Sequence, residues 1–566
     1  MTDFSGGKYN ELDCLFVHVP KCANEYLPLG EFLNITYAPM GLLALAHQAR
    51  RRGFRAEIVH LGVEWMLDRN YTLAAEFAER RIAAAGLPLY WHYQAYDVLQ
   101  VAKAIKAVSP ETFVFLGGLT ASYFAEEILR SFPCVDAVVQ GHGETPVIAL
   151  LEQLQRDTPD LGRVPSLYSR CGAEIRRSDD SYVAEQADLD DLVFADFSSL
   201  RHAETYIASF GFPLAFSKEY DEDEHKARNT MGRTFFPLCT GRGCHAECVY
   251  CGGSAGTLHR ANVRNRVLWR SPDRVVDDVR RAVDAGYRTI SLCFDPTPSV
   301  DDYYVDLFAK LRRDKVAVDV YFESWALPTR RFLETFARTF PTEHSYVALS
   351  PDSGNERVRR LNKGFFYTND QLRDSLRTAR DLGVQADVFF TIALAGETLK
   401  EALETRDLIT ELRDAYDNIR RLMTWTVQLE PGSPQYEHPE RYNIITDRQC
   451  FEDFRRAHGG PHADTYSSLG FKINDYFGDE RDGGGILDFE AHIQHLKCME
   501  FCFLAPDPRQ RLTPEQSRRH CLERRRAIAA RRGCATEQRL IDDQHRYADA
   551  RAALRKEGPS MRPEWT

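Results

Sequence analysis

Long apolar runs are missing from the 566 residues. None approaches the about twenty residues that a membrane-spanning helix requires. The opening, Met1-Thr-Asp-Phe-Ser-Gly-Gly, has no apolar core of a signal peptide. The expectation is a cytoplasmic protein with no membrane partner. An excess of basic residues is missing too: 72 Lys and Arg stand against 83 Asp and Glu, a net charge of −11. That balance argues against a general nucleic-acid-binding surface. The 14 cysteines are irregularly spaced, so they form no secreted disulfide framework, and a reducing compartment fits. A sequence of this length is too long for one core and implies two or three domains.

What is present is concentrated in Cys244-His-Ala-Glu-Cys248-Val-Tyr-Cys251, between Gly241-Arg-Gly243 and Gly252-Gly253. Three thiols at this spacing suit a [4Fe–4S] cluster, whose irons need thiolates and whose corners a short loop can wrap. The fourth iron is then open to a small chelating ligand. Glycines on both sides let the backbone approach without Cβ clashes. The rival reading is a zinc knuckle with Cys239 or His245 as fourth ligand. Structural zinc sites usually pair two short Cys-x-x-Cys turns or add a histidine arm, and only one turn is evident here.

Around this stretch the pattern alternates between strand and helix. In the first 160 residues, strands are expected at 14–19, 56–61, 112–116 and 136–139, with helices at 41–52, 94–108 and 121–131. Such alternation implies an open, mainly parallel sheet whose ligands sit beyond the carboxyl ends of its strands. Gly117-Gly118 and Gly141-His-Gly143 fall at those ends. Residues 161–232 read as a linker with a short hairpin (166–169 with 173–176) and an acidic, irregular stretch at 188–202. From 233 to 455 six β/α units follow, the first strand delivering the cysteine loop. Parallel barrels work at the carboxyl ends of their strands. Residues 456–566 read as a mostly helical C-terminal domain without a motif, expected to cap the substrate pocket. Its Cys498 and Cys502 read as buried packing, and 514–532 as a basic helix docked on the acidic body.

The cysteine triplet, with Tyr250 before its last thiol, resembles the signature of the radical S-adenosylmethionine (SAM) enzymes. In that family the open iron binds the amino and carboxylate groups of SAM. Leu116-Gly-Gly-Leu-Thr-Ala-Ser122, followed by Gln140-Gly-His-Gly-Glu-Thr-Pro146, resembles the cobalamin-binding domain that precedes many radical SAM domains. Together they imply an α/β protein: an N-terminal Rossmann-like cobalamin-binding domain (1–160), then a partial (β/α)6 radical SAM barrel (233–455). By that resemblance Gly117, Gly118, Thr120, Ser122, Gly141 and Gly143 line the nucleotide tail of cobalamin, and Glu144 joins the cofactor-binding set. Tyr37 and Gly41 lie near the corrin, and Arg69, in the loop 62–69, reaches its lower face. The histidine of Asp-x-His-x-x-Gly has only one near match, Asp543-Gln-His545, which lacks the glycine, so the cobalt is expected to carry no protein histidine. On the SAM side the resemblance implies contacts from Tyr250, Gly252 and Gly253, from Ser350, Asp352 and Ser353, and from Glu397 in Gly396-Glu-Thr398. The family's Gly-Gly-Glu is absent from the second barrel strand, where Asp295 stands in. Glu323 and Glu430, ending the third and sixth strands, point to the same face.

The implied reaction is C-methylation: a methyl passes from SAM through methylcobalamin to a weakly nucleophilic carbon, while a second SAM supplies a radical. The segments 11–20 and 62–65 look most like the antibiotic-pathway methyltransferases that act on tryptophan and on aminocoumarin pyrroles. They imply a pyrrole or indole precursor, free or held by a carrier protein or pathway partner, and electrons from a flavodoxin or ferredoxin. Tyr303, Tyr304, Tyr321 and Trp325 are placed to stack on such a ring, with core packing as the other reading. Two rival functions stand beside it: an oxidative cyclase or rearrangement enzyme using the same cofactors, and a sensor without turnover.

Overall fold

The computed structural model describes residues 11–19, 38–68, 71–208, 235–244, 246–261, 267–292, 301–342, 344–392, 394–442, 444–446, 448–457 and 471–473. Tyr37, Arg69, His245, Asp295, Cys498, Cys502, the basic segment 514–532 and His545 lie outside them.

The first sheet holds β1 (Glu11–His18), β2 (Ala56–His60), β3 (Arg81–Pro88), β4 (Phe113–Gly117), β5 (Ala137–Val139), β6 (Leu167–Cys171) and β7 (Glu174–Arg177) in the order β2-β1-β3-β4-β5-β6-β7. The strands from β2 to β5 run parallel, and β6 and β7 add antiparallel. The direction of winding reverses between β1 and β3, which opens a crevice at their carboxyl ends. The central strand β3 is absent from the sequence expectation, because Arg-Ile-Ala-Ala-Ala-Gly-Leu-Pro carries few β-favouring side chains. Its small residues have a packing cause. A Cβ on Gly86 would lie 2.7 Å from the Phe115 ring and 2.8 Å from that of Phe16, so the two flanking phenylalanines occupy the space a side chain would need. The stretch expected as a loop at 62–69 is instead helical from Leu61 to Leu67, with His60 accepting the Gly62 N–H at 3.2 Å. The hairpin assigned to the linker completes this sheet through β6.

Six parallel strands form the second sheet: β8 (Phe235–Pro237), β11 (Thr289–Leu292), β12 (Asp319–Ser324), β13 (Tyr346–Asp352), β14 (Gln385–Ile392) and β15 (Ile419–Thr426), in that spatial order. A short antiparallel pair, β9 (Gly241–Arg242) and β10 (Leu268–Trp269), brackets the cysteine loop. Local signals start the helices. Thr368 with Gln371, and Thr398 with Glu401, form capping boxes ahead of Asn369–Asp381 and Leu399–Ala415. Pro272 opens the helix Pro272–Ala285, and Gly286 ends it at φ +112°. Ser271, the N-cap, makes no side-chain capping bond, since its hydroxyl donates to Asp190 instead.

The acidic stretch at 188–202 is structured rather than loose. Toward the first sheet, His47 Nδ1 meets Asp196 at 2.6 Å, and Arg201 pairs with Glu57 at 2.9 Å and with Glu76. Toward the barrel, the Phe194 N–H donates to Asp278, and Asp278 is paired with the fully buried Arg270 at 2.7 Å. A second tie follows the barrel. Helix Phe451–Ala457 returns to the first domain, where Phe451 packs on Phe124 and Phe132, and Phe454 packs on His92. Among the described residues no helix is long and apolar enough to cross a membrane.

Candidate active site

The cysteine loop leaves β9 and winds across the carboxyl end of the barrel. Each of its three thiols accepts one backbone N–H: Ala246 to Cys244 at 3.4 Å, Gly364 to Cys248 at 3.2 Å and Gly253 to Cys251 at 3.2 Å. Burial and mutual repulsion push the Cys248 and Cys251 thiols up. Three thiols held at one loop with N–H donors on their sulfurs fit an iron–sulfur cluster, whose positive irons ionise them and whose potential such hydrogen bonds tune. Cys239, the alternative ligand, is buried five positions before the first of them, at the end of β8. Among the described residues no three His, Cys, Asp or Glu side chains are gathered as the ligands of one metal ion.

Beside the loop, Asp352 ends β13 with φ +62° and accepts both the Tyr250 hydroxyl at 2.6 Å and the Lys363 ammonium at 3.0 Å. Lys363 was not singled out from sequence; its only local signal is its place before Gly364. Ser350 is half-buried on the same strand. Ser353 Oγ meets Thr405 Oγ1 of helix Leu399–Ala415 at 3.3 Å, and Glu397 accepts the Leu394 N–H at 3.3 Å. Gly252 donates its N–H to Glu430 at 2.5 Å. Burial raises both Glu323 and Glu430 to about 7. Of the four aromatic candidates, Tyr304 is buried among Phe308, Phe322 and Phe332, and Tyr303 packs on Trp269. Tyr321 packs on Tyr346 and donates to Glu323 at 3.3 Å, while Trp325 faces Phe365 at 6.1 Å.

The raised carboxyl of Glu323 has a measurable consequence. Its folded value of about 7 exceeds the ordinary 4.5, so the folded state holds the proton more tightly than the unfolded state. Its contribution to stability is full below about 4.5 and is lost as pH rises through about 7. Urea unfolding of wild type and Glu323→Gln at pH 5 and pH 8 is expected to show a smaller pH-dependent loss in the variant, by about 2 kcal/mol. Identical losses in both proteins would remove the assignment.

At the carboxyl edge of the first sheet, the Gly117-Gly118 turn follows β4. A Cβ on Gly117 would meet nothing within 4 Å, whereas one on Gly118 would lie 2.7 Å from the Leu89 carbonyl oxygen. Gly118 also has φ +103°. Ser122 stitches the two glycine turns together, donating to the Gly118 carbonyl at 2.7 Å and accepting the Gly141 N–H at 2.9 Å. Thr120 donates to the Tyr90 carbonyl at 3.0 Å. A Cβ on Gly143 would come into ordinary contact with Leu45 and Val147, and one on Gly41, at the start of helix Met40–Arg51, would meet nothing within 4 Å. The open side of Gly117, at the carboxyl end of β4 and one strand from the reversal between β1 and β3, fits a ligand that comes close to the backbone. His18 and His60, passed over in the sequence, end the paired strands β1 and β2 with rings stacked at 4.2 Å. Burial lowers His18 to about 4. Glu144 reaches across the domains to Arg242, which also meets His142 at 3.2 Å. Arg242 lies two residues before Cys244, so the cluster loop and the glycine turn share one ion pair.

The B12 binding domain family matches residues 33–151, and the radical SAM superfamily matches residues 238–409. The structure is similar to that of the radical S-adenosylmethionine methyltransferase TsrM from Kitasatospora setae with cobalamin and a [4Fe–4S] cluster bound. The likeness has a TM-score of 0.56 at 16% identity and covers 79% of this chain and 81% of that one. An uncharacterized methyltransferase of Pyrococcus horikoshii is 24% identical over 62% of this chain and 68% of its own length. The hopanoid C-3 methylase of Methylococcus capsulatus is 27% identical over 44% of this chain and 41% of its own. A doubly wound sheet carrying a B12 binding domain, set before a six-stranded barrel with a three-cysteine loop, defines a SAM- and cobalamin-dependent enzyme. The chain carries, in this order, the two domains of a SAM- and cobalamin-dependent methyltransferase.

Proposed function

We propose that the protein transfers a methyl group to a carbon of a small natural-product precursor with a heteroaromatic ring, of the pyrrole or indole kind. The observation that carries the reading is a shared gap between the domains. Tyr90, Trp91 and Thr120 from the first sheet line it together with Gly252 and Glu430 from the barrel mouth. The two cofactors supply methyl relay and radical initiation. The protein's own part is to hold them face to face and exclude water. Arg242 with Glu144 sets the separation, Tyr250, Asp352 and Lys363 fix the floor beside the cluster loop, and the backbone N–H groups poise the thiolates. Cys244, Cys248 and Cys251 are the cluster ligands in this reading, and Gly117 and its neighbours hold the nucleotide tail. Methylation at carbon, rather than at oxygen or nitrogen, is the task that makes a radical initiator useful, because such carbons attack SAM too slowly.

Anaerobically reconstituted protein given methyl-labelled SAM and a panel of indole and pyrrole amides and acids is expected to move label into product. S-adenosylhomocysteine should appear with it, and 5′-deoxyadenosine too where a substrate radical forms. A product without label, formed with 5′-deoxyadenosine alone, would point to a cyclase or rearrangement enzyme instead. The preference for a ring substrate rests on the exposed aromatic ledge of Tyr90 and Trp91, whose rings meet edge to face at 5.0 Å.

A further inference from the structure

Helix Glu356–Asn362 turns one face to solvent. Arg357, Arg360 and Leu361 are exposed there, and Gly364, just past the last turn, continues the row. The spacing is that of positions i, i+3, i+4 and i+7 on one helical side. Val358, Arg359 and Asn362 form the buried side. Leu361 is 42% exposed, and the half-buried Phe366 lies under the Arg360 guanidinium, 3.6 Å from its ring centroid. The face is therefore apolar at its centre and basic at its rim.

This row ends on the cysteine loop. The Gly364 N–H donates to Cys248 Sγ at 3.2 Å, and a Cβ on Gly364 would lie 2.7 Å from that of Ala246. The Val249 N–H, donating to the Asn362 carbonyl at 2.8 Å, fastens the helix end to the same loop. Of the three N–H donors on the thiols, Ala246 is buried, Gly253 is half-buried and Gly364 is exposed. Cys248 is thus joined to the surface by a single hydrogen bond.

Charge around the row is unbalanced. Arg357 is held by Glu401 through two bonds of 2.7 and 2.8 Å. The neighbouring acids are occupied as well: Glu356 accepts the Asn369 N–H at 2.7 Å, and Glu247 accepts that of Gly256. Arg360, and the exposed Lys400 beside Glu401 in sequence, make no ion pair among the described residues. In a chain of net charge −11, two cations without counter-charge next to an exposed leucine favour an acidic partner with an apolar contact point. Encounters between redox proteins bury little area, so a few such groups are enough.

We infer that this face is where the cluster loop receives its electron, from a small acidic flavoprotein. The partner sets the apolar edge of its flavin against Leu361 and its carboxylates against Arg360 and Lys400. The inference rests on the reading of Cys244, Cys248 and Cys251 as cluster ligands, and it extends that reading to the reductant that radical initiation requires. One electron moves. The anionic flavin hydroquinone loses it and becomes its neutral one-electron-oxidised form, the iron–sulfur centre gains it, and no proton or group changes place.

The test uses full-length protein reconstituted with its cluster, and flavodoxin as the probe. Oxidation of the flavodoxin hydroquinone is followed by stopped-flow absorbance with SAM present, and binding of oxidised flavodoxin by calorimetry without it. Arg360→Glu combined with Lys400→Glu is expected to slow flavin oxidation about tenfold or more at low ionic strength, and to weaken binding by a similar factor. Raising salt from about 50 to 500 mM should slow wild type and leave the variant little changed. Leu361→Ser should weaken binding about fivefold. Arg52→Glu with Arg81→Glu, at exposed cations of the first domain, makes the same change in net charge and should leave both readouts as in wild type. Unchanged readouts in the Arg360 and Lys400 variant, equal slowing by the control pair, no oxidation of flavodoxin by wild type, or sensitivity shown only by a ferredoxin would each overturn the inference. Iron content and the extent of reduction by dithionite separate the two levels. A wild type that holds no iron removes the cluster reading and the inference with it. A cluster that dithionite reduces and flavodoxin does not leaves that reading standing and removes the docking face.

Discussion

Replacing Cys244, Cys248 and Cys251 together with alanine is expected to yield a folded protein with no iron–sulfur absorbance and no SAM cleavage. Wild type, reconstituted anaerobically, should hold about four iron atoms per molecule, and the triple variant close to none. The argument is local. The three thiols sit on one loop, each under a backbone N–H, and burial pushes the Cys248 and Cys251 thiols up, a shift the charge of bound iron would oppose. The loop is also anchored by bonds the thiols do not make, such as Val249 N–H to the Asn362 carbonyl at 2.8 Å and Gly252 to Glu430, so the barrel should survive their loss. Cys239→Ala is the control. It should keep the cluster and lose only some stability, because its side chain is part of the packed core. Loss of iron on Cys239→Ala with retention on Cys244→Ala would move the ligand set and sink this assignment.

The second large effect separates two neighbouring glycines. Gly117→Leu is expected to leave the cofactor-free protein as stable as wild type and to cost most of its cobalamin affinity, at least a hundredfold. Gly118→Ala is expected to destabilise the cofactor-free protein itself, by about 2–3 kcal/mol. The difference follows from the surroundings. A Cβ on Gly117 enters open space at the crevice, where only a bound ligand would object. A Cβ on Gly118 strikes the Leu89 carbonyl at 2.7 Å on a backbone whose φ of +103° already disfavours any side chain. Urea unfolding and cobalamin titration of the two variants give a crossed pattern. Equal cobalamin binding by Gly117→Leu and wild type would take the nucleotide tail away from this turn.

The cluster loop was legible because its chemistry is written within eight consecutive residues, and the glycine turns because a strand end followed by Gly-Gly is a local pattern. The outline of both sheets was legible for the same reason, since hydrophobic alternation is carried by each segment on its own. Strand β3 was not, because its Gly86 answers to two phenylalanines that stand 70 residues before and about 30 after it in the sequence. Helix Leu61–Leu67 was hidden behind a glycine at its second position. The pairs that join the domains were out of reach in principle. Arg242 with Glu144, Asp278 with Phe194, and Asp196 with His47 link residues far apart in sequence, and each charge looks like an ordinary surface charge when read alone. Ser353 and Glu397 were legible by residue type as part of a ligand-binding segment, while the local bonds they make, to Thr405 and to the Leu394 N–H, were not.

The strap at 188–202 and the returning helix Phe451–Ala457 bear on how such a protein comes to exist. The first domain emerges from the ribosome with part of its surface waiting for partners encoded more than three hundred residues later, at Phe451 and Phe454. Until then Phe124, Phe132 and His92 present an uncovered aromatic face to the cytosol of any expressing cell. The two modules are thus a single unit of biogenesis, and a gene cut between them should yield an aggregating first half rather than a free-standing corrinoid carrier.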